Sequence, residues 1–176
     1  YSQLAYSLGR EFESLRANGT VKIASVFGSY PLIRSRNSNL YAGIGLDHKT
    51  FQDKVDSTGT VADKTSRVLV TSLYGDQRDN LGGGGLSIYS LALSAGDLDL
   101  QTPAVKLVDD TTARSNGQFN KLAFNVMRLQ RLTDNTSLYA SLNGQVASKN
   151  LDVSEKMELG GMYAVRAYPE GEGYGD

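Results

Sequence analysis

The sequence predicts an all-β chain of seven antiparallel strands joined in up-and-down order. Three observations point there. Seven stretches alternate apolar and polar residues with the period of two that sends successive side chains to opposite faces of a strand. No heptad or helical stripe of useful length interrupts them. Compact connections rich in turn formers also alternate with long polar ones.

The opening "YSQLAYSLGREF" sets Leu4, Tyr6 and Leu8 against Gln3, Ala5 and Ser7. The overlapping "LGREFESLRANG" has room for about two helical turns, yet a strand running into a loop explains it equally well. "TVKIASVFGSY" (20–30) is rich in β-branched and aromatic residues and stops at Pro31, which has no N–H to give a ladder. In "SNLYAGIGLDH" (38–48), Leu40, Ala42, Ile44 and Leu46 oppose Asn39, Tyr41, Gly43, Gly45 and Asp47, so the polar face carries glycine and asparagine and not lysine. "SRVLVTSLY" (66–74), "LSIYSLALSAG" (86–96), "QFNKLAFNVMRLQRL" (118–132) and "TSLYASLNGQVAS" (136–148) follow. The last alternates best, with Leu138, Ala140, Leu142 and Val146 against Tyr139, Ser141, Asn143 and Gln145. Two strands change phase. The apolar parity moves from Leu86 and Ile88 to Leu91 and Leu93, and from Leu122, Phe124 and Val126 to Leu129; each change predicts a β-bulge.

"SYPLIRSRNS", "GDQRDNLGGGG" and "TDNT" are compact, whereas "DHKTFQDKVDSTGTVADKT" and "GDLDLQTPAVKLVDDTTARSNG" are long and charged. One end of the sheet therefore carries small turns and the other large loops. An outer-membrane barrel has that asymmetry, and a soluble barrel or sandwich can have it too. The polar face of Ser, Asn, Gln, Gly and Tyr suits a water-filled lumen better than a solubilising exterior.

Composition narrows the function classes. The 176 residues include 18 Lys plus Arg and 19 Asp plus Glu, a net charge of −1 that supplies no global field for nucleic acid. There is no cysteine and one histidine, His48, so neither a thiolate site nor a usual zinc ligand set can be assembled. No run of about 18 apolar residues is present, which excludes a spanning helix and leaves a membrane barrel open. Mean hydropathy is −0.32, compatible with either.

Candidate chemistry is sparse. The glycine run Gly83, Gly84, Gly85 lacks the lysine and hydroxyl residue of a phosphate loop and precedes a strand, so it reads as a turn, with Asp76 and Asp79 capping it through side-chain to backbone hydrogen bonds. Asp97/Asp99 and Asp109/Asp110 read as solvated loop charge. No catalytic residue, metal, cofactor or small-molecule substrate is predicted.

The final third is more telling. "GQ.ASKNLD.SEK..LGG...VRAYP.GE..GD", running from Gly144 to Asp176, resembles the signature of the outer-membrane transporters of two-partner secretion, the hemolysin-activator group that includes ShlB, FhaC and HecB. "LGRE", "SYPLIR" with "NLYAG", "GDQRDNLGGGG" and "RLQRL" are similar to family segments in the expected order. The resemblance implies an antiparallel up-and-down transmembrane β-barrel in the bacterial outer membrane, sixteen-stranded and preceded by periplasmic POTRA domains. It would export a large secreted exoprotein of hemolysin or adhesin type, with the lipid bilayer as its other partner. The whole chain, 1–176, would then be the central part of that barrel, its fifth to eleventh strands, ending at the start of an inward-folding sixth outer loop. Arg166 matches the arginine by which the family tethers this loop to an acid on the inner wall, and that acid would fall beyond Asp176. Tyr168 matches the following aromatic, Ala167 stands where the wider superfamily often carries glycine, and Val165, Pro169, Gly171, Glu172 and Asp176 complete the motif behind Gly160 and Gly161. From the residues alone, 165–176 reads rather as an exposed, disordered loop than as a tether. The rivals are an assembly factor of the same superfamily, against which "SEK..LGG" and "VRAYP" speak, and a soluble β-sandwich binding module.

Overall fold

Seven strands form one antiparallel sheet whose spatial order is their order in the chain: β1 (Ser2–Ser7), β2 (Ala17–Arg34), β3 (Ser38–Val55), β4 (Thr60–Asp79), β5 (Gly85–Leu100), β6 (Gly117–Arg131) and β7 (Ser137–Ala147). The structure, a computed structural model, describes residues 1–7, 17–159 and 173–176. All seven predicted strands are present, and they lie in one sheet instead of the two packed sheets of a sandwich. The fold is all-β, a stretch of antiparallel barrel wall.

The strands are longer than apolar alternation alone marks. β3 and β4 pair without interruption from Ser38↔Gln77 to Val55↔Thr60, so most of the predicted charged loop between them is a hairpin closed by residues 56–59. Polarity hid it. Where both faces meet water the alternation vanishes, but the backbone ladder needs no apolar side chain to continue. The predicted loop after β5 holds a nine-residue helix, α1 (Pro103–Thr111). Pro103 occupies the first turn, where its missing N–H is not needed. Thr102 donates its hydroxyl to the Val61 carbonyl at 3.2 Å and accepts from the Asp63 N–H at 2.9 Å, tying the helix start to β4.

The two predicted bulges are absent. Register runs unbroken along the β4–β5, β5–β6 and β6–β7 pairs, and the register shift lies between Pro31 and Ile33 of β2. The phase changes have a different origin: each face changes character along the strand axis. On one face, here the open face, Val26, Ile44, Leu46, Leu69, Leu73, Leu91, Leu93, Leu122, Val126, Leu142 and Val146 form an apolar belt that none of the described residues covers. Leu142 and Val146 are each 64% exposed. Polar residues bound this belt, with His48, Arg67, Asp97 and Gln118 on the long-loop side and Gln77, Asp79, Ser87 and Arg128 on the short-turn side. On β4 the bounding Arg67 and Gln77 stand about ten residues apart, the length a tilted strand needs to cross a bilayer.

The opposite, covered face is mostly polar, with Ser66, Ser72, Ser90, Ser94, Asn125, Asn143 and Gln145 in register and Tyr41 stacked on Tyr74 at 5.4 Å. Its apolar cluster among the described residues, Val68, Leu98, Leu100 and Phe119, is sealed by Leu151 from the segment after β7. Gly96 and Gly144 lie under aromatic rings. The Phe119 ring occupies the space a Cβ on Gly96 would take, and the Phe124 ring comes within 2.6 Å of one on Gly144. In each pair an aromatic ring on β6 covers the bare backbone opposite it.

Candidate functional site

After β7 the chain does not leave the sheet; it turns back across the covered face. The Ser148 N–H bonds to the Asn120 carbonyl at 2.8 Å, Lys149 Nζ to the Asn116 carbonyl at 2.6 Å and Asn150 Nδ2 to the Ala113 carbonyl at 3.1 Å. Leu151 enters the apolar cluster, 3% exposed. A tight turn follows, in which Asp152 Oδ1 accepts from the Ser154 N–H at 3.0 Å and its carbonyl from the Glu155 N–H at 2.9 Å. That turn delivers Glu155 to the wall.

Glu155 is 2% exposed and touches four strands. Its carboxylate pairs with Lys49 of β3 and Lys121 of β6, each at 2.8 Å, and accepts from the Ser66 hydroxyl of β4 at 3.1 Å. Its backbone carbonyl accepts from Lys121 Nζ at 2.9 Å and from Gln145 Nε2 of β7 at 3.2 Å. Nearby, Lys64 holds both oxygens of Asp152, at 2.8 and 3.1 Å, and lies over the Phe51 ring at 5.0 Å. Burial works most strongly against ionisation of either acid. The hydrogen bonds and charge of Lys121 and Lys49 outweigh it at Glu155, and those of Lys64 and Ser154 at Asp152, so both carboxyls titrate below their ordinary values.

Such a group contributes position more than stability. A buried ion pair roughly balances desolvation against attraction, but stripping one partner leaves an uncompensated charge and costs about 3–5 kcal/mol. The contacts therefore fix one docking site for the segment. Beyond Glu155 the chain enters a short ribbon, β8 (Met157–Glu158) paired with β9 (Tyr174–Gly175), with the Leu159 N–H bonded to the Gly173 carbonyl at 2.8 Å. Asp176 closes the loop base, accepting from the Leu151 N–H at 3.0 Å and standing 3.4 Å from Lys156 Nζ. Of the predicted loop motif, Asp176 is thus at the base of this ribbon. Gly160, Gly161, Val165, Arg166, Tyr168, Pro169, Gly171 and Glu172 lie outside the described residues.

The glycine-rich turn is at the other end of the sheet. Asp79 Oδ1 accepts from the Leu81 N–H at 3.0 Å, and Asp79 also forms a pair with Arg128 at 2.6 Å. Asp76 stands inside β4 and accepts from Asn39 Nδ2 at 3.2 and 3.3 Å. Gly83 and Gly84 have positive φ, at 97° and 101°, a region that favours glycine, while Gly85 begins β5. His48 is in mid-β3, paired with Ala24 and Arg67. Among the described residues no group of three or more His, Asp or Glu is arranged to hold a metal ion. Asp109, predicted as solvated loop charge, is 8% exposed and closes the α1 loop by accepting from the Ser115 N–H and hydroxyl at 3.0 and 2.7 Å and the Asn116 N–H at 2.9 Å.

Sequence reading passed over Glu155, Asp152, Lys49, Lys64 and Lys121. One signal was available: by strand parity all three lysines fall on the face rich in Ser, Asn, Gln and Gly, and a charge there needs a partner.

Comparison with known proteins gives the geometry its context. The sequence model described as "Haemolysin secretion/activation protein ShlB/FhaC/HecB" matches residues 1–176. The chain is 27% identical over 168 residues to the heme/hemopexin transporter protein HuxB of Haemophilus influenzae, covering 96% of this chain and 29% of that protein. It is 28% identical over 155 residues to the outer membrane transporter CdiB of Dickeya dadantii, covering 87% of this chain and 24% of that one. The chain thus spans under a third of the length of these relatives.

Proposed function

Because the chain belongs to the ShlB/FhaC/HecB haemolysin secretion/activation family, we propose that it forms the central wall of an outer-membrane pore that secretes a partner exoprotein, the arrangement of two-partner secretion. The observation that carries this reading is the uncovered apolar belt of the open face, bounded by polar residues about one bilayer apart. The belt faces lipid; the serine- and amide-rich covered face lines the lumen. Transport is passive conduction of an unfolded or partly folded chain, eased by a wall of small neutral side chains. The exoprotein is of hemolysin or adhesin type, a reading that the family's description as haemolysin secretion/activation proteins supports.

The loop that begins after β7 is the pore's internal plug. Its base, Leu151 to Leu159, runs along the lumenal face, which supports an inward course for the residues that follow. In this reading Arg166 is the tethering residue, pairing with an acid on an inner wall strand by charge-assisted hydrogen bonds.

Cysteine scanning tests the pore reading, since this stretch has no native cysteine. In the full-length transporter in outer membranes, Leu46→Cys, Leu93→Cys and Leu142→Cys are expected to resist a membrane-impermeant maleimide, while Ser72→Cys and Asn143→Cys react. Equal reactivity of both sets ends the assignment of faces. Arg166→Ala is expected to lower the exoprotein recovered from the medium while the barrel still assembles.

A further inference from the structure

The wall lysines that meet Glu155 and Asp152 form a receptor as well as a partner. Lys49, Lys64 and Lys121 come from three strands and converge on one region of the covered face. By register, Asp47 and Asp53 are the acids that β3 adds to this face, Asp53 already accepting from the Tyr6 hydroxyl at 2.6 Å; β5 contributes Ser94, Leu98 and Leu100, and β7 contributes Gln145 and Ala147. The docked segment brings Lys149 and Lys156 together with Asp152, Glu155 and Asp176, of which Asp176 pairs with Lys156. Take the segment away and the three wall lysines lose both of their paired carboxylates, leaving Asp47 and the Tyr6-bound Asp53 as the acids β3 offers on this face. Apart from Leu151, the contacts that hold the segment are ion pairs and hydrogen bonds, which another carboxylate-bearing chain can replace group for group.

We propose that Lys49, Lys64 and Lys121 form a carboxylate-binding site on the pore wall, filled at rest by the loop's own Glu155 and Asp152 and filled during export by acidic segments of the exoprotein in their place. The loop base is an internal competitor. Both legs of the β8–β9 ribbon are tied to it, through Glu155 on one side and Asp176 on the other, so displacement at the lysines frees the ribbon as a unit. This rests on the pore reading and adds the chemistry of what the wall recognises.

The test uses the full-length transporter in planar lipid bilayers, with hexaglutamate as probe and hexalysine as control. Hexaglutamate is expected to raise the frequency of large openings, hexalysine to leave it unchanged, and Glu155→Gln to raise the resting frequency by about tenfold. The triple variant Lys49→Gln/Lys64→Gln/Lys121→Gln is expected to lose the response, and Lys121→Arg to keep it. Should the triple variant not assemble, Lys49→Gln and Lys121→Gln are read singly in the same way. A wild-type channel that conducts but ignores hexaglutamate, or a lysine-free wall that still responds, overturns the site and leaves the pore reading intact. A wild-type protein that neither conducts nor exports overturns the pore reading instead.

Discussion

Glu155 keeps its charge in a place where burial alone would neutralise it. Lys121 and Lys49 make the difference, and the consequence is a pH dependence of definite sign. A carboxyl whose folded-state value is depressed contributes fully above the ordinary carboxylate range, and that contribution is lost as the pH falls through the lower, folded-state value. Asp152, with Lys64, behaves the same way. The loop base is therefore expected to remain docked from neutral pH down into the ordinary carboxylate range and to release only below it. A spin label at Val153→Cys, a half-exposed position between the two acids, reports this as a rise in mobility at acid pH. Release within or above the ordinary range would show that the lysines do not hold the carboxylates as described. None of these pairs was legible as a pair. Lys49 and Glu155 are 106 positions apart, and Ser66 and Glu155 are 89 apart; nothing periodic links them. Only the oddity of lysine among the serines and amides of that face could be read, one strand at a time.

At the scale of elements, strand identity followed from alternation and strand length did not. Alternation reports an apolar face, and β3 and β4 continue past the end of theirs, so a hairpin passed for a loop. β5 shows the same effect in reverse. Leu91 and Leu93 lie on the open face and Leu98 and Leu100 on the covered one, so an unbroken strand mimics a bulged one. If the open face meets lipid in the middle of the strand and water at its ends, a charge should be costly in one place and tolerated in the other. Leu93→Arg is expected to destabilise the full-length barrel by about 2–4 kcal/mol, and Gln118→Arg, on the polar flank of β6, by no more than about 1 kcal/mol. Urea titration of the folded, heat-modifiable form measures both. Equal effects would remove the belt as a lipid contact.

For the whole molecule, β1 and β7 are the boundaries of the sheet, each paired on one side among the described residues. Unpaired backbone groups are not tolerated in lipid and invite association in water. Expressed alone, this stretch is expected to aggregate, and gel filtration of a monodisperse, folded species of 19.0 kDa in plain buffer would contradict the fold's need for further strands. The sequence by itself determined the seven strands, their up-and-down order and, outside the phase changes of β5 and β6, the face each side chain takes, because a period of two is a local property that every strand carries with it. The tertiary structure alone decided that the segment after β7 turns back over the neutral face and that Glu155 meets Lys49, Ser66, Lys121 and Gln145 there. Ion pairs between distant strands depend on where the backbone brings charges together, and a pattern read along the chain contains no such distance.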